Sequence, residues 1–171
     1  RFNRRRLTGF EGDTIASALL ANDVRQVGRS FKYHRLRGVM SAGPEEGGAL
    51  FNVNDGAMRI ANVKGTMAEL RGDMQVRAQN AFPSLAFDIG AVNGLFAPFL
   101  TAGFYYKTFM GPARNTAFWM FCEKFIRKAA GLGKASHLPD PNSYDIAYKF
   151  CDVLVVGAGP AGLMAATALA E

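Results

Sequence analysis

An α+β chain is predicted from three features of the 171 residues. Before residue 80, short alternating segments surround one capped helix. From 81 to 148 the chain turns aromatic and rich in glycine and proline. After 149 a continuous apolar run enters a glycine turn. Three parts follow: a small domain over 1–80, a connector over 81–148 and the opening of another domain over 149–171.

Within 1–80, Leu7-Thr8-Gly9-Phe10 reads as a strand. Gly12 then supplies a turn, with Asp13 placed to cap a helix from Thr14 to Ala21. Ile15, Ala18, Leu19 and Ala21 fall on one stripe, and Asn22 is a left-handed stop. Leu50-Phe51-Asn52-Val53 and Met74-Gln75-Val76-Arg77-Ala78 alternate apolar and polar, with Gly72-Asp73 a turn before the second. Strands, a helix, then more strands is the order of a β-grasp domain. In the connector, Asn115 to Ala130 reads as an amphipathic helix. Phe118, Phe121, Cys122, Phe125 and Ile126 lie on one face, and Gly131 and Gly133 follow. Fourteen Phe in so short a chain imply surface that further sequence buries.

The formal charge of +6 and the pI of about 9.6 come from one lobe. Through Arg37, nine basic residues face three acidic ones, and from Gly38 on, eleven face eleven. Such a lobe suits an anionic cofactor, an acidic partner or solvent. No helix-turn-helix, zinc-finger or RNP pattern accompanies it, so nucleic acid is not expected. Two cysteines are too few for a disulfide framework, and a cytoplasmic location is expected. The apolar run Leu95 to Tyr106 is broken by Pro98 and Gly103 and falls short of the ~20 residues of a membrane helix. Arg1 in place of Met, and an end inside a helix-forming run, suit a piece of a longer chain.

The chemistry-bearing motif is Gly157-Ala158-Gly159-Pro160-Ala161-Gly162. It follows the predicted strand Phe150 to Val156 and precedes a helix from Leu163 to Ala170, the order of a Rossmann-like dinucleotide site. Gly157 permits the tight turn, Gly159 lets backbone approach a pyrophosphate, and Gly162 lets helix and strand pack closely. The helix N-terminus offers free N–H groups and partial positive charge to phosphates. The acidic residue that would contact the ribose falls beyond Glu171, so FAD and NAD are not separated by the residues present, and the chain alone is expected to bind either poorly.

Other groups read blandly. His34 and His137 lack ligand-spaced partners and suit surface or hydrogen-bonding roles, so no metal site is expected. Cys122 and Cys151 read as core residues. Glu45-Glu46 reads as a solvated turn. No catalytic constellation is visible.

Gly12 to Asn22, Arg29-Ser30-Phe31-Lys32-Tyr33-His34-Arg35, Ala102 to Met110 and the Gly157 to Gly162 turn, in that order, resemble the N-terminal region of the alpha subunit of heterotetrameric sarcosine oxidase. Leu36 stands where that family commonly has proline, and Gly47-Gly48 where it has Pro-Asn. The resemblance implies that residues 1–80 form a ferredoxin-like β-grasp domain and that the alpha subunit binds NAD. It also implies beta, gamma and delta partner subunits, with FAD and FMN in the complex. Sarcosine is then oxidised to glycine, giving hydrogen peroxide and formaldehyde or methylenetetrahydrofolate, with tetrahydrofolate bound in another domain. A plant-type [2Fe–2S] site takes four thiolates in a C-x4-C-x2-C…C arrangement. Ser41 to Val53 and Asn62 to Thr66 carry none, so no iron–sulfur cluster is expected. The alternatives are a related FAD-dependent amine or opine dehydrogenase subunit, or a scaffold without catalytic role.

Overall fold

Thr14 and Ser17 open the first helix with a reciprocal pair of bonds. Ser17 N donates to Thr14 Oγ1 at 3.1 Å, and Thr14 N donates to Ser17 Oγ at 2.9 Å. Two otherwise orphaned N–H groups are satisfied in this way. The helix, α1, runs Ile15–Ala21 and buries Ile15, Ala16, Ala18 and Leu19. Thr14 is thus the cap in place of Asp13. The Asp13 carboxylate instead accepts from Phe10 N at 2.9 Å and Ser17 Oγ at 2.8 Å, tying down the approach to the helix. The left-handed residue at the exit is Asp23, with φ 56°, while Asn22 keeps φ −95° and donates its amide to Thr8 O and Ala18 O.

The computed structural model describes residues 1–56, 58–100, 102–103, 109 and 116–170. It divides into two compact units, Arg1–Pro141 and Asn142–Glu171. In the first, β1 (Gly28–Arg29) pairs with β2 (Leu36–Arg37) in a short antiparallel hairpin. Three longer strands, β3 (Leu50–Asn54), β4 (Arg59–Lys64) and β5 (Gln75–Ala78), form an antiparallel sheet in the order β4-β3-β5. Val53 lies opposite Val76 on β5 and Ile60 on β4, and the register shifts between Phe51 and Val53. Period-two alternation turns Phe51, Val53 and Val76 inward, where Phe2, Ile15, Leu19, Val27, Ala49 and Met74 complete the core. Phe51 is fully buried and meets Phe2 edge to face at 5.8 Å. Its burial contributes about 2–3 kcal/mol relative to exposure. A side chain at Gly65 would collide with the Phe51 ring, so the chain passes closest to the core there.

Leu7 to Phe10 forms no strand. No segment among the described residues pairs with it, and Phe10 is 82% exposed. In the connector, a 3-10 helix covers Ile89–Gly94 and α2 covers Thr116–Ala129, close to the predicted span. Of the predicted apolar face only Cys122 is buried, and Phe118, Phe121 and Phe125 stand exposed among the described residues. Residues Ala102 to Met110, which carry part of the family resemblance, lie mostly outside the described set. No helix among the described residues is long and apolar enough to cross a membrane.

The second unit contains α3 (Pro160–Leu169). Phe150 to Val156 forms no strand: a strand exists through its ladder, and no segment among the described residues pairs with this run. Cys151, expected in a core, is exposed.

Candidate functional site

The glycine turn begins at Gly157, whose φ of +109° lies where L side chains are strained. Gly159 is the N-cap of α3 and offers no side chain to its free N–H groups. Pro160 follows at the first helical position, where its fixed φ suits the helix and its missing N–H costs no bond. The helix therefore starts three residues earlier than predicted, and its first ladder bond runs from Leu163 N to Gly159 O at 3.0 Å. A side chain at Gly162 would overlap the Gly157 carbonyl oxygen, so this glycine closes the turn on itself. Nothing lies within 4 Å of where a Cβ would stand at Gly157 or Gly159. Gly157, Ala158 and Gly159 thus turn the chain into a helix start without a side-chain cap, whose first turn holds Pro160, Ala161 and Gly162. Such a start can hold a phosphate through backbone N–H groups and the helix dipole.

In the first unit, two buried polar clusters depart from the sequence reading. Glu46, expected in a solvated turn, is almost fully buried. Its Oε2 accepts from Met40 N at 2.6 Å and Ser41 N at 2.8 Å, and its Oε1 from Gly48 N at 2.5 Å and Ala49 N at 3.2 Å. Burial raises the pKa of this carboxyl. The four N–H groups outweigh burial and hold it below the usual carboxylate range. Glu45, its neighbour, is exposed.

The second cluster joins residues far apart in sequence. His34 is buried, with Nδ1 2.6 Å from Asp88 Oδ2 and Nε2 2.9 Å from Ala129 O. Arg29 Nη1 donates to His34 O at 2.6 Å, and Nε and Nη2 donate to Leu85 O at 3.0 and 2.7 Å. Arg29 Nε also lies 3.6 Å from Asp88 Oδ2. Asp88 Oδ1 accepts from Phe82 N at 2.9 Å and Gly90 N at 3.2 Å. Burial raises the Asp88 carboxyl, but the bonds from Phe82, His34 and Gly90 lower it further, so it remains ionised below its ordinary range. His137 is exposed. Among the described residues no three His, Cys, Asp or Glu side chains converge as a metal site.

Over 166 residues the chain is 56% identical to a sarcosine oxidase subunit alpha of Rhizobium meliloti, covering 96% of this chain and 16% of that protein. A sarcosine oxidase subunit alpha of a Corynebacterium species (strain U-96) is 34% identical over 94% of this chain and 12% of its own length. The chain is a homologue of the sarcosine oxidase alpha subunits. It spans about one sixth of the length of the Rhizobium protein. Residues 1–81 match a family described as a 2Fe-2S iron-sulfur cluster binding domain. An L-proline dehydrogenase structure from P. horikoshii aligns at 23% identity and a TM-score of 0.38, over 48% of this chain and 15% of that one.

The family match corrects the expectation that this homologue goes without an iron–sulfur cluster, because the family of residues 1–81 points to that cofactor. The two cysteines stand at 122 and 151, outside the matched segment. The side chains of residues 1–81 therefore do not fit the four-thiolate set of a plant-type cluster.

Proposed function

We propose that this sarcosine oxidase alpha homologue provides the NAD-binding and assembly portion of a cytoplasmic amine-oxidising complex. The observation that carries the reading is the backbone of Gly157 to Leu163: a positive-φ glycine, a side-chain-free N-cap, Pro160 and a helix start with free N–H groups. Together they give the phosphate cradle of a Rossmann-like domain beginning near residue 149. The six turn residues bind cofactor and do not react with substrate. The assembly role is supported by the exposed Phe82, Phe87, Phe96, Phe99, Phe121 and Phe125 of the connector. Exposed aromatic side chains in such number suit contact with other protein. Beta, gamma and delta subunits are the proposed partners. Sarcosine oxidation at FAD and FMN, and the use of tetrahydrofolate, are assigned to parts of the complex outside these residues.

The full-length parent subunit, purified with its partner subunits and denatured, releases its nucleotides for mass spectrometry. About one NAD per alpha subunit supports the reading. Flavin at the alpha site with no NAD favours a related FAD-dependent amine or opine dehydrogenase. Absence of any nucleotide there leaves the turn as scaffold and overturns the proposal.

A further inference from the structure

The His34 ring sits between two acceptors. Asp88 is ionised and already takes N–H bonds from Phe82 and Gly90, and Ala129 O is a carbonyl oxygen. A neutral imidazole has one N–H and one lone pair. In either tautomer one ring nitrogen would turn its lone pair toward an oxygen at 2.6 or 2.9 Å. Both contacts are satisfied together only when both nitrogens carry a proton.

The end of α2 shows what the second contact does. Ala130 N donates to Ile126 O, Gly131 N to Lys128 O and Leu132 N to Arg127 O, with Gly131 at φ +73°. This is the Schellman pattern, and it satisfies three of the last four helix carbonyls. The fourth, Ala129 O, is taken by His34 Nε2. A cation there also meets the negative end of the helix dipole. Gly90 packs directly against the ring, where a side chain would overlap it. The charged groups around it are Asp88 of the 82–88 turn and Arg29 of its own hairpin, with Lys128 of α2 lining the same cleft. The 3-10 helix contributes only backbone and uncharged side chains.

We infer that His34 is a proton-dependent latch: as an imidazolium it ties the β1–β2 hairpin to the Asp88 turn and to the C-terminal carbonyl of α2, and loss of one ring proton releases α2. The Nδ1 proton stays on the carboxylate side, because a charge-assisted bond is the stronger of the two. The lone pair then faces Ala129 O, and the last turn of α2 loses its tie. That helix carries the exposed Phe121 and Phe125, so the latch sets how firmly an apolar face is presented.

Amide hydrogen exchange on the full chain tests this at about pH 5 and about pH 8, with rates divided by their intrinsic pH dependence. Protection of Ala130, Gly131 and Leu132 is expected to fall about tenfold or more between the two conditions, the loss of one bond to a charged group, while α1 is unchanged. His34→Gln should show the lowered protection at both pH values and no step, and His137→Gln should behave as the unsubstituted chain. If His34→Gln also strips α1 of protection, Asp88→Asn replaces it in the same comparison and should likewise abolish the step. A step that persists in the variant used, no step in the unsubstituted chain, or imidazole nitrogen spectra showing one ring proton on His34 at the acidic end would overturn the latch.

Discussion

The first unit and the second are built from similar local signals with different outcomes. In Arg1–Pro141 a capped helix and alternating strands find each other, and Phe51, Val53 and Val76 disappear into a core shared with Ile15 and Leu19. In Asn142–Glu171 an equally apolar run, Val153 to Val156, stays without a ladder, and Phe150 is 97% exposed. The glycine turn and α3 nonetheless take their conformation. Turns and helix starts close their bonds within a few residues, whereas strands need a partner, so the turn forms where the strand does not.

The largest expected effect is at the centre of the first core. Phe51→Ala should destabilise the first unit by about 3–5 kcal/mol, seen as a lowered urea midpoint, since it removes a fully buried ring. Glu46→Ala should cost about 2–4 kcal/mol, because it leaves four buried or part-buried N–H groups without their carboxylate. The same site gives a pH signature. The folded Glu46 carboxyl is lowered, so its contribution is present above the ordinary carboxylate range and fades as the pH falls through the lower folded value. Urea titrations of Glu46→Gln and the unsubstituted chain should differ at neutral pH and converge in acid. A constant difference would remove the charge from the explanation.

Smaller effects sharpen the contrast. Thr14→Ala should cost about 1 kcal/mol through loss of the capping box. Arg25→Ala should stay within about 0.5 kcal/mol, because its pair with Asp23 lies in solvent. If Arg25→Ala matched Thr14→Ala in thermal unfolding, local capping would not be what sets α1.

Signals that close locally were readable in the sequence, α1, α2 and the Gly157 to Gly162 turn, and so were β3 and β5, whose alternation matches their buried and exposed faces. β4 was not, because Asn62 at φ +60° and the register shift opposite Phe51 break its alternation between Ile60 and Val63. β1 and β2, two residues each, are too short to show a period. Leu7 to Phe10 and Phe150 to Val156 look like strands because apolar pattern reports a tendency and pairing decides the outcome. The burial of Glu46 had one available hint, the Gly47-Gly48 pair that lets N–H groups crowd a carboxylate. The His34–Asp88 contact spans 54 residues and has no local trace.

In the proposed function the turn at 157–162 holds NAD in the intact subunit. Gly157→Val, made in the full-length parent with its partners, tests it most directly, because φ +109° excludes a β-branched residue and the first core is untouched. NAD released from the unsubstituted complex and none from the variant, with unchanged amide protection across β3 and β5, is the expected result. Equal NAD in both complexes, or flavin in place of NAD at the alpha site, would contradict it.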